Sequence, residues 1–463
     1  HDKMRSNAYT TANNNWRSIH NPLTEPMMTT GFNIPKAEVS SDVYYNKVGG
    51  SFNTERMKNF HNLYVKHHLI AAAASAAKLS SEITLIDYAC GKAGDLAKWT
   101  HAHVSFVLGI DIAKDNLTNR YDGACARYLT VRNTRKDTPH AVFLHGNSSK
   151  NIKSGDAYES NRDISISNQL FGISPINETF GIAASSAYGI GANGFDVSSC
   201  QFAMHYMFQS TDTLFGFVKN LSECTALGGH FIGTAYDGEK IFNILKSMKR
   251  GHGDRLVSTD NVKIWEVIRD YSEDIKEFPE TSKSLGRQIM VYQESINQSI
   301  PEFLVNFAYF DMVMGLYGFA LITPSDAEHM SNGSISSGNA TFGELFNNMT
   351  KTNQSRHKSG QKYKDSDAMT DAEKHISFLN RIVIYKKTRH VDQPIIPTED
   401  DEVVTVDNTL NIPKPEPKPE PIHEIKKGET NWINSINVTV TLKEDTAFVT
   451  TQHKKLKSKS KPK

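Results

Sequence analysis

Apolar positions between residues 54 and 236 fall into two alternating rhythms. Thr54 caps a segment in which Met57, Phe60 and Tyr64 recur at helical spacing and run on into an alanine-rich stretch. "ITLIDY" then reads as a strand and "AGDLAKW" as the start of a helix. "VSFVLGID" is a second strand ending at Asp111, "AVFLHG" a third and "FDVSSCQF" a fourth. A helix is expected from Thr211 to Leu227, stopped by Gly228-Gly229, with "HFIGTAY" as the next strand. Strands alternating with helices predict an α/β fold with a doubly wound, Rossmann-like parallel sheet. Between the third and fourth strands, residues 153 to 194 are rich in Ser, Asn and Gly and read as a surface excursion.

The flanks are different. Residues 1 to 38 are polar and Asn-rich, without strong periodicity. From about residue 391 the chain includes "IPKPEPKPEPIHEIKK", an extended Pro/charge linker, then "SINVTVTLKEDTAFVT", which alternates like a hairpin. The longest apolar run, Leu69 to Ala77, is flanked by His67, His68 and Lys78, so no membrane span is expected. "HDKMRSNAYTT" lacks the apolar core of a secretion signal, and a start at His1 fits a piece of a longer multidomain enzyme. Four cysteines without CxxC spacing argue against zinc and disulfides and suit a reducing compartment. Asn147-Ser148-Ser149 forms a glycosylation sequon, a chance match in such a compartment. Net charge is +1, but the last eleven residues hold six lysines, which leaves 46 basic against 51 acidic residues elsewhere. That tail reads first as a solvated end and second as a polyanion contact.

In a doubly wound sheet, ligands bind beyond the carboxyl ends of the strands. There the chain places Asp87-x-Ala89-Cys90-Gly91-Lys92-Ala93-Gly94, then Asp111 twenty-four residues past Asp87, then Asn147 with Ser148, then Gln201 with Phe202. An acid ending the second strand suits the two hydroxyls of a ribose. The turn is neither GxGxxG nor a phosphate loop; small residues headed by an acid suit an amino-acid moiety, as in S-adenosylmethionine (AdoMet). An ordinary tight strand–helix turn is the plainer alternative.

"KNFHNLYVK", "LIDYACGKAGDLAKW", "GIDIAKDNL", "GNSSK", "FDVSSCQFAMHYMF" and "PEFLVNF", in that order, resemble the mRNA cap guanine-N7 methyltransferases. "FHNLYVK" and "DGACARY" look most like the versions from large cytoplasmic DNA viruses. The resemblance implies a class I AdoMet methyltransferase fold with insertions over residues 39–390. Residues 1–38, with Asp2 and Lys3, are similar to the end of a guanylyltransferase domain, and 391–463 form the linker and Lys-rich tail. It implies that Lys66, Asp87, Ala89, Gly91, Asp111, Asn147, Ser148 and Gln201 hold AdoMet. Asn62, Lys92, His205, Tyr206 and Glu302 would hold the cap, with Arg120 or Arg127 at the triphosphate and Phe378 or Tyr385 closing over the base. Ala89 stands where the family has glycine and Asn147 where it has aspartate. Asn59, Asn62 and Lys66 share one helix face, and Glu302 after Pro301 reads as a helix start. No acid–base catalyst and no metal are expected; Tyr206 and Glu302 orient the acceptor. The implied partners are the capped mRNA 5′ end and a stimulatory subunit, with no membrane, in the cytoplasm (viral factory or virion). Methylation of the cap ribose, or a non-catalytic cap- or RNA-binding subunit, are the rival readings.

Overall fold

The structure, a computed structural model, describes residues 53–77, 82–258, 261–355, 363–391, 439–443 and 446–450. The expected guanylyltransferase segment, the Pro/charge linker and the lysine tail lie outside these residues. In the first unit, β1 (Ile83–Asp87), β2 (Val104–Asp111), β3 (His140–His145), β4 (Phe195–Gln201) and β5 (Thr225–Tyr236) belong to a seven-stranded sheet. Its order is β10-β11-β5-β4-β1-β2-β3, where β10 is Phe319–Leu321 and β11 is Asn380–Lys387. β1 to β5 pair in parallel, so the chain winds outward from β1 in one direction and from β4 in the other. Alternate side chains feed two cores, Leu85, Val107, Val197 and Ile232 on one face and Ile86, Leu108, Cys200 and Phe231 on the other. Burial on both faces is why these strands are apolar almost throughout.

Three expectations need correction. The sheet is mixed: β11 runs antiparallel to β5, and β10 antiparallel to β11. The helix after β4 is Thr211–Cys224, and Gly228-Gly229 lies inside β5. The register against β4 jumps from Phe195↔Thr225 to Val197↔His230, so the glycines carry a wide bulge. Gly228 has φ +82°, and a Cβ on Gly229 would sit 2.9 Å from two carbonyl oxygens. The helix end is served by the Lys387 ammonium, which donates to the carbonyls of Ser222 and Thr225. Third, the 153–194 insertion is more than a surface excursion. Its helix Asn161–Leu170, capped by Ser160, buries Ile166 and Leu170 in the second core.

A second sheet, absent from the sequence reading, is antiparallel in the order β6 (Gly253–Val257), β7 (Lys263–Arg269), β8 (Gln288–Gln293) and β9 (Gln298–Phe303). Glu302 therefore sits in an edge strand and not at a helix start. An edge strand tolerates Pro301, which lacks a donor for the ladder. Arg269, the last residue of β7, is wholly buried, and its guanidinium donates to the carbonyls of Leu245, Lys246, Met248, Ser272 and Ile275.

Thr54 does stand at the head of a helix, Glu55–Asn59, which continues through a π-helical stretch, Phe60–Val65, into Lys66–Ala76. The capping group is remote: Glu373 Oε1 accepts from the Met57 N–H at 3.0 Å. The second unit, described on its own, shows the expected hairpin of β12 (Thr439–Lys443) and β13 (Thr446–Thr450). Among the described residues no helix is long and apolar enough to cross a membrane.

Candidate active site

Strand order reverses between β1 and β4, and the predicted residues gather at the carboxyl ends there. Beyond β1 the turn is tied to its neighbours: Tyr88 N–H donates to Ser199 O at 2.9 Å and Cys90 N–H to Ile110 O at 3.0 Å. Gly91 takes φ +53°, a conformation that favours glycine. Ala89 has no positive φ, so the backbone does not require the family's glycine at this position. Asp111 is the hub, accepting from Gly91 N–H (2.7 Å), Ala113 N–H (2.9 Å) and Asn116 Nδ2 (3.0 Å). Asp87 accepts one bond, from Ala89 N–H at 3.1 Å. Burial, with the charge of Asp95 adding to it, pushes the Asp87 carboxyl up to about 7, so the site favours a cation beside it.

Ser148 donates to Tyr88 O at 2.6 Å, which binds the loop after β3 to the β1 turn. Asn147 Oδ1 accepts from the backbone and hydroxyl of Ser149, work an aspartate oxygen would do equally well. Gln201 donates to Ser199 Oγ at 3.2 Å, and its buried Oε1 has no partner. The Asp87 carboxyl, an unpaired amide oxygen and a small-residue turn fit the amino-acid end of AdoMet, and Asp111 fits its ribose. Ile112, next to Asp111, is an apolar side chain left 60% exposed, which the sequence pattern did not single out.

Asp95 and Lys98 were missed as well. Asp95 accepts from Lys66 and lies 2.8 Å from both the Lys66 and Lys98 ammonium groups. Burial opposes the Asp95 charge, but the two lysines outweigh it and hold the carboxyl well below its usual range. Lys98 also reaches Asn62 Oδ1 at 3.4 Å, so Asn62 and Lys66 are drawn together. Asn59 departs from that group and bonds Lys364 O. The i,i+3 spacing in "DLAKW" was the available signal, but it names neither Lys66 nor the site.

Lys92 is 9% exposed and donates to Asp122 Oδ1 at 2.7 Å, with Asp115 at 3.9 Å. Arg127 donates to the Lys92 carbonyl at 3.0 Å, and Arg120 is exposed on the same segment. After β4, His205 Nδ1 lies 3.7 Å from Glu302 Oε2, both residues buried, and His205 Nε2 has no partner. The Tyr206 ring is 4.1 Å from that of His205. Phe202, at φ +57°, stacks on His61 at 5.4 Å below them. Phe378 packs on Phe346, whereas Tyr385 is 2% exposed against Phe310 inside the sheet core and cannot close over a base.

Burial lowers His205 to about 3 and raises Glu302 from 4.5 to about 8, so the pair is neutral at pH 7. Between 4.5 and about 8 the folded protein keeps a proton on Glu302 that the unfolded chain has lost, so this group makes stability fall as pH rises. Glu302→Gln is therefore expected to flatten that part of the pH–stability curve and to exceed the wild type near pH 8. Denaturant midpoints at about pH 5 and about pH 8 check this; equal pH slopes in both proteins would contradict it.

Residues 51–387 match the model of the mRNA (guanine-N(7))-methyltransferase domain. A "Probable mRNA-capping enzyme" of Acanthamoeba polyphaga mimivirus is 27% identical over 65% of this chain and 25% of its own length. The "mRNA cap guanine-N(7) methyltransferase" of Schizosaccharomyces pombe is 27% identical over 65% of this chain and 70% of its length. That of Aspergillus niger is 31% identical over 40% of this chain and 30% of its length. The chain thus spans about a quarter of the viral relative and 70% of the yeast one. The seven-stranded sheet, the residues gathered at its switch point and a family match across most of the chain agree: this chain belongs to the mRNA guanine-N7 methyltransferase domain family.

Proposed function

We propose that the domain transfers the methyl group of AdoMet to N7 of the terminal guanine of the GpppN cap of mRNA. The observation that carries this is the set of acids at the strand ends, Asp87 closing β1 and Asp111 closing β2 with the small-residue turn between them, together with the buried His205–Glu302 pair that joins the 3-10 segment after β4 to β9. AdoMet supplies an electrophilic sulfonium methyl. Guanine N7 has a free lone pair, so the chain needs no general base, and its work is alignment and electrostatics. Asp87, with Lys66 held by Asp95, receives the charged amino-acid end, and Asp111 the ribose. Tyr206 supports the guanine plane. Glu302 faces the donor edge of the base; ionised there, its carboxylate favours the positive charge that the ring acquires. Lys92 meets the triphosphate by exchanging Asp122 for phosphate.

Labelled AdoMet with GpppA-capped RNA, followed by nuclease digestion, tests the proposal: label is expected on guanine, and label on ribose, or none, overturns it. Lys92→Ala is expected to raise KM for capped RNA about tenfold, the scale of one charge-assisted hydrogen bond, and to leave KM for AdoMet within about twofold. A loss confined to AdoMet would contradict a phosphate role.

The division into a guanylyltransferase end (1–38), this domain (39–390) and a linker with tail (391–463) belongs to the same proposal. The viral capping-enzyme likeness supports it, together with a setting in the cytoplasm where a virus caps its own transcripts and with help from a stimulatory subunit.

A further inference from the structure

The segment between the helices Lys114–Thr118 and Ala124–Thr134 holds the most exposed large hydrophobic side chain described, Tyr121, at 95%. Single exposed aromatics are ordinary; this one stands on a rigid platform beside the site. Its N–H donates to Asn119 Oδ1 at 3.0 Å, and the N–H of Asp122 reaches the same oxygen at 3.4 Å. Asn119 is itself fixed by donating to Asp115, and Gly123 N–H closes the turn on Asn119 O at 3.0 Å. The turn requires glycine there, because a Cβ on Gly123 would lie 2.6 Å from Asn119 O. The next residue, Asp122, holds the Lys92 ammonium at 2.7 Å, and the preceding residue, Arg120, is exposed.

We infer that Tyr121 is a stacking platform for the base of the first transcribed nucleotide, the one joined to guanosine through the triphosphate. This rests on the cap reading above and extends it by one nucleoside. If Lys92 takes the triphosphate, the nucleoside beyond it leaves the site across this turn. A tyrosine ring held in water by an ordered backbone gains by covering a base and loses little entropy in doing so. The exposed Arg120 attracts the phosphate that follows. Stacking reads no Watson–Crick edge, so the platform accepts any first nucleotide, with a preference for purines through their larger faces.

The test compares wild type with Tyr121→Ala and Tyr121→Phe on GTP, GpppA and a short GpppA-capped RNA, by KM and by calorimetric binding. Tyr121→Ala is expected to weaken GpppA and capped RNA about tenfold, the scale of one base–aromatic stack, with GTP within about twofold; Tyr121→Phe retains wild-type values. Equal losses on all three ligands, or no loss on GpppA and RNA, overturn the inference and leave the cap reading standing. A wild type that neither binds nor methylates any of the three overturns the cap reading itself.

Discussion

Asp111→Ala is expected to weaken AdoMet binding on the order of 100-fold or more, because one carboxylate serves two purposes. Its free acceptor capacity suits both ribose hydroxyls, and its occupied capacity ties Gly91, Ala113 and Asn116 into one hub. Alanine removes both and leaves three donors without an acceptor, which costs about 1–3 kcal/mol for each one that stays buried. Asp111→Asn separates the two effects, since its amide oxygen can still accept from part of the hub while the charge is gone. Calorimetry for binding, with a thermal melt to report folding, decides the matter. Binding of AdoMet by folded Asp111→Ala at wild-type affinity would remove Asp111 from the cofactor site.

The largest effect on stability is expected at Arg269, where alanine should cost about 3–5 kcal/mol. Among the described residues no carboxylate pairs with this buried cation; its compensation is five carbonyl oxygens and the face of Tyr271, 4.5 Å away. Removing it strands the end of the helix Gly238–Leu245 and the loop after β7 together. Lysine, with three donors for five acceptors, should recover only part. In the ladder Arg269 pairs with Ile289, and Ile289 with Glu302, so slackening this row should raise the KM for capped RNA more than that for AdoMet. Urea midpoints for Arg269→Ala within about 0.5 kcal/mol of wild type would show that the loops satisfy themselves without it.

The parts of the molecule that follow from local pattern were readable in the sequence. β1 to β4 are short apolar runs ending in polar residues, so Asp87, Gly91, Asp111, Ser148 and Gln201 could be placed at or just beyond the carboxyl ends of neighbouring strands. Where a remote group decides, the local pattern misled. Gly228-Gly229 looks like a helix stop, but the ammonium of Lys387, distant in sequence, already serves those carbonyls, and the glycines are left for a bulge. Pro301-Glu302 looks like a helix start until the hairpin partner Met290 is known. The β6–β9 sheet escaped because its outer face is half exposed and its strands are short and mixed in composition. Asp95 was invisible as a site residue because its partner Lys66 lies on another helix.

The remote cap on the first described helix bears on how the protein is made. Met57 and Glu373 are 316 residues apart in sequence, and β11, which lies between β5 and β10, is also among the last elements of the unit to leave the ribosome. Lys66 and Asn62 ride on the helix that this late segment secures. A nascent chain that has completed β1 to β5 still lacks the Glu373 cap on that helix and exposes the edge of β5. Such an intermediate must close long loops before it is rewarded, so it folds slowly and invites edge-to-edge association. Methyl-donor binding should therefore arise in one late step of synthesis, when residues 371–387 dock, and not grow strand by strand.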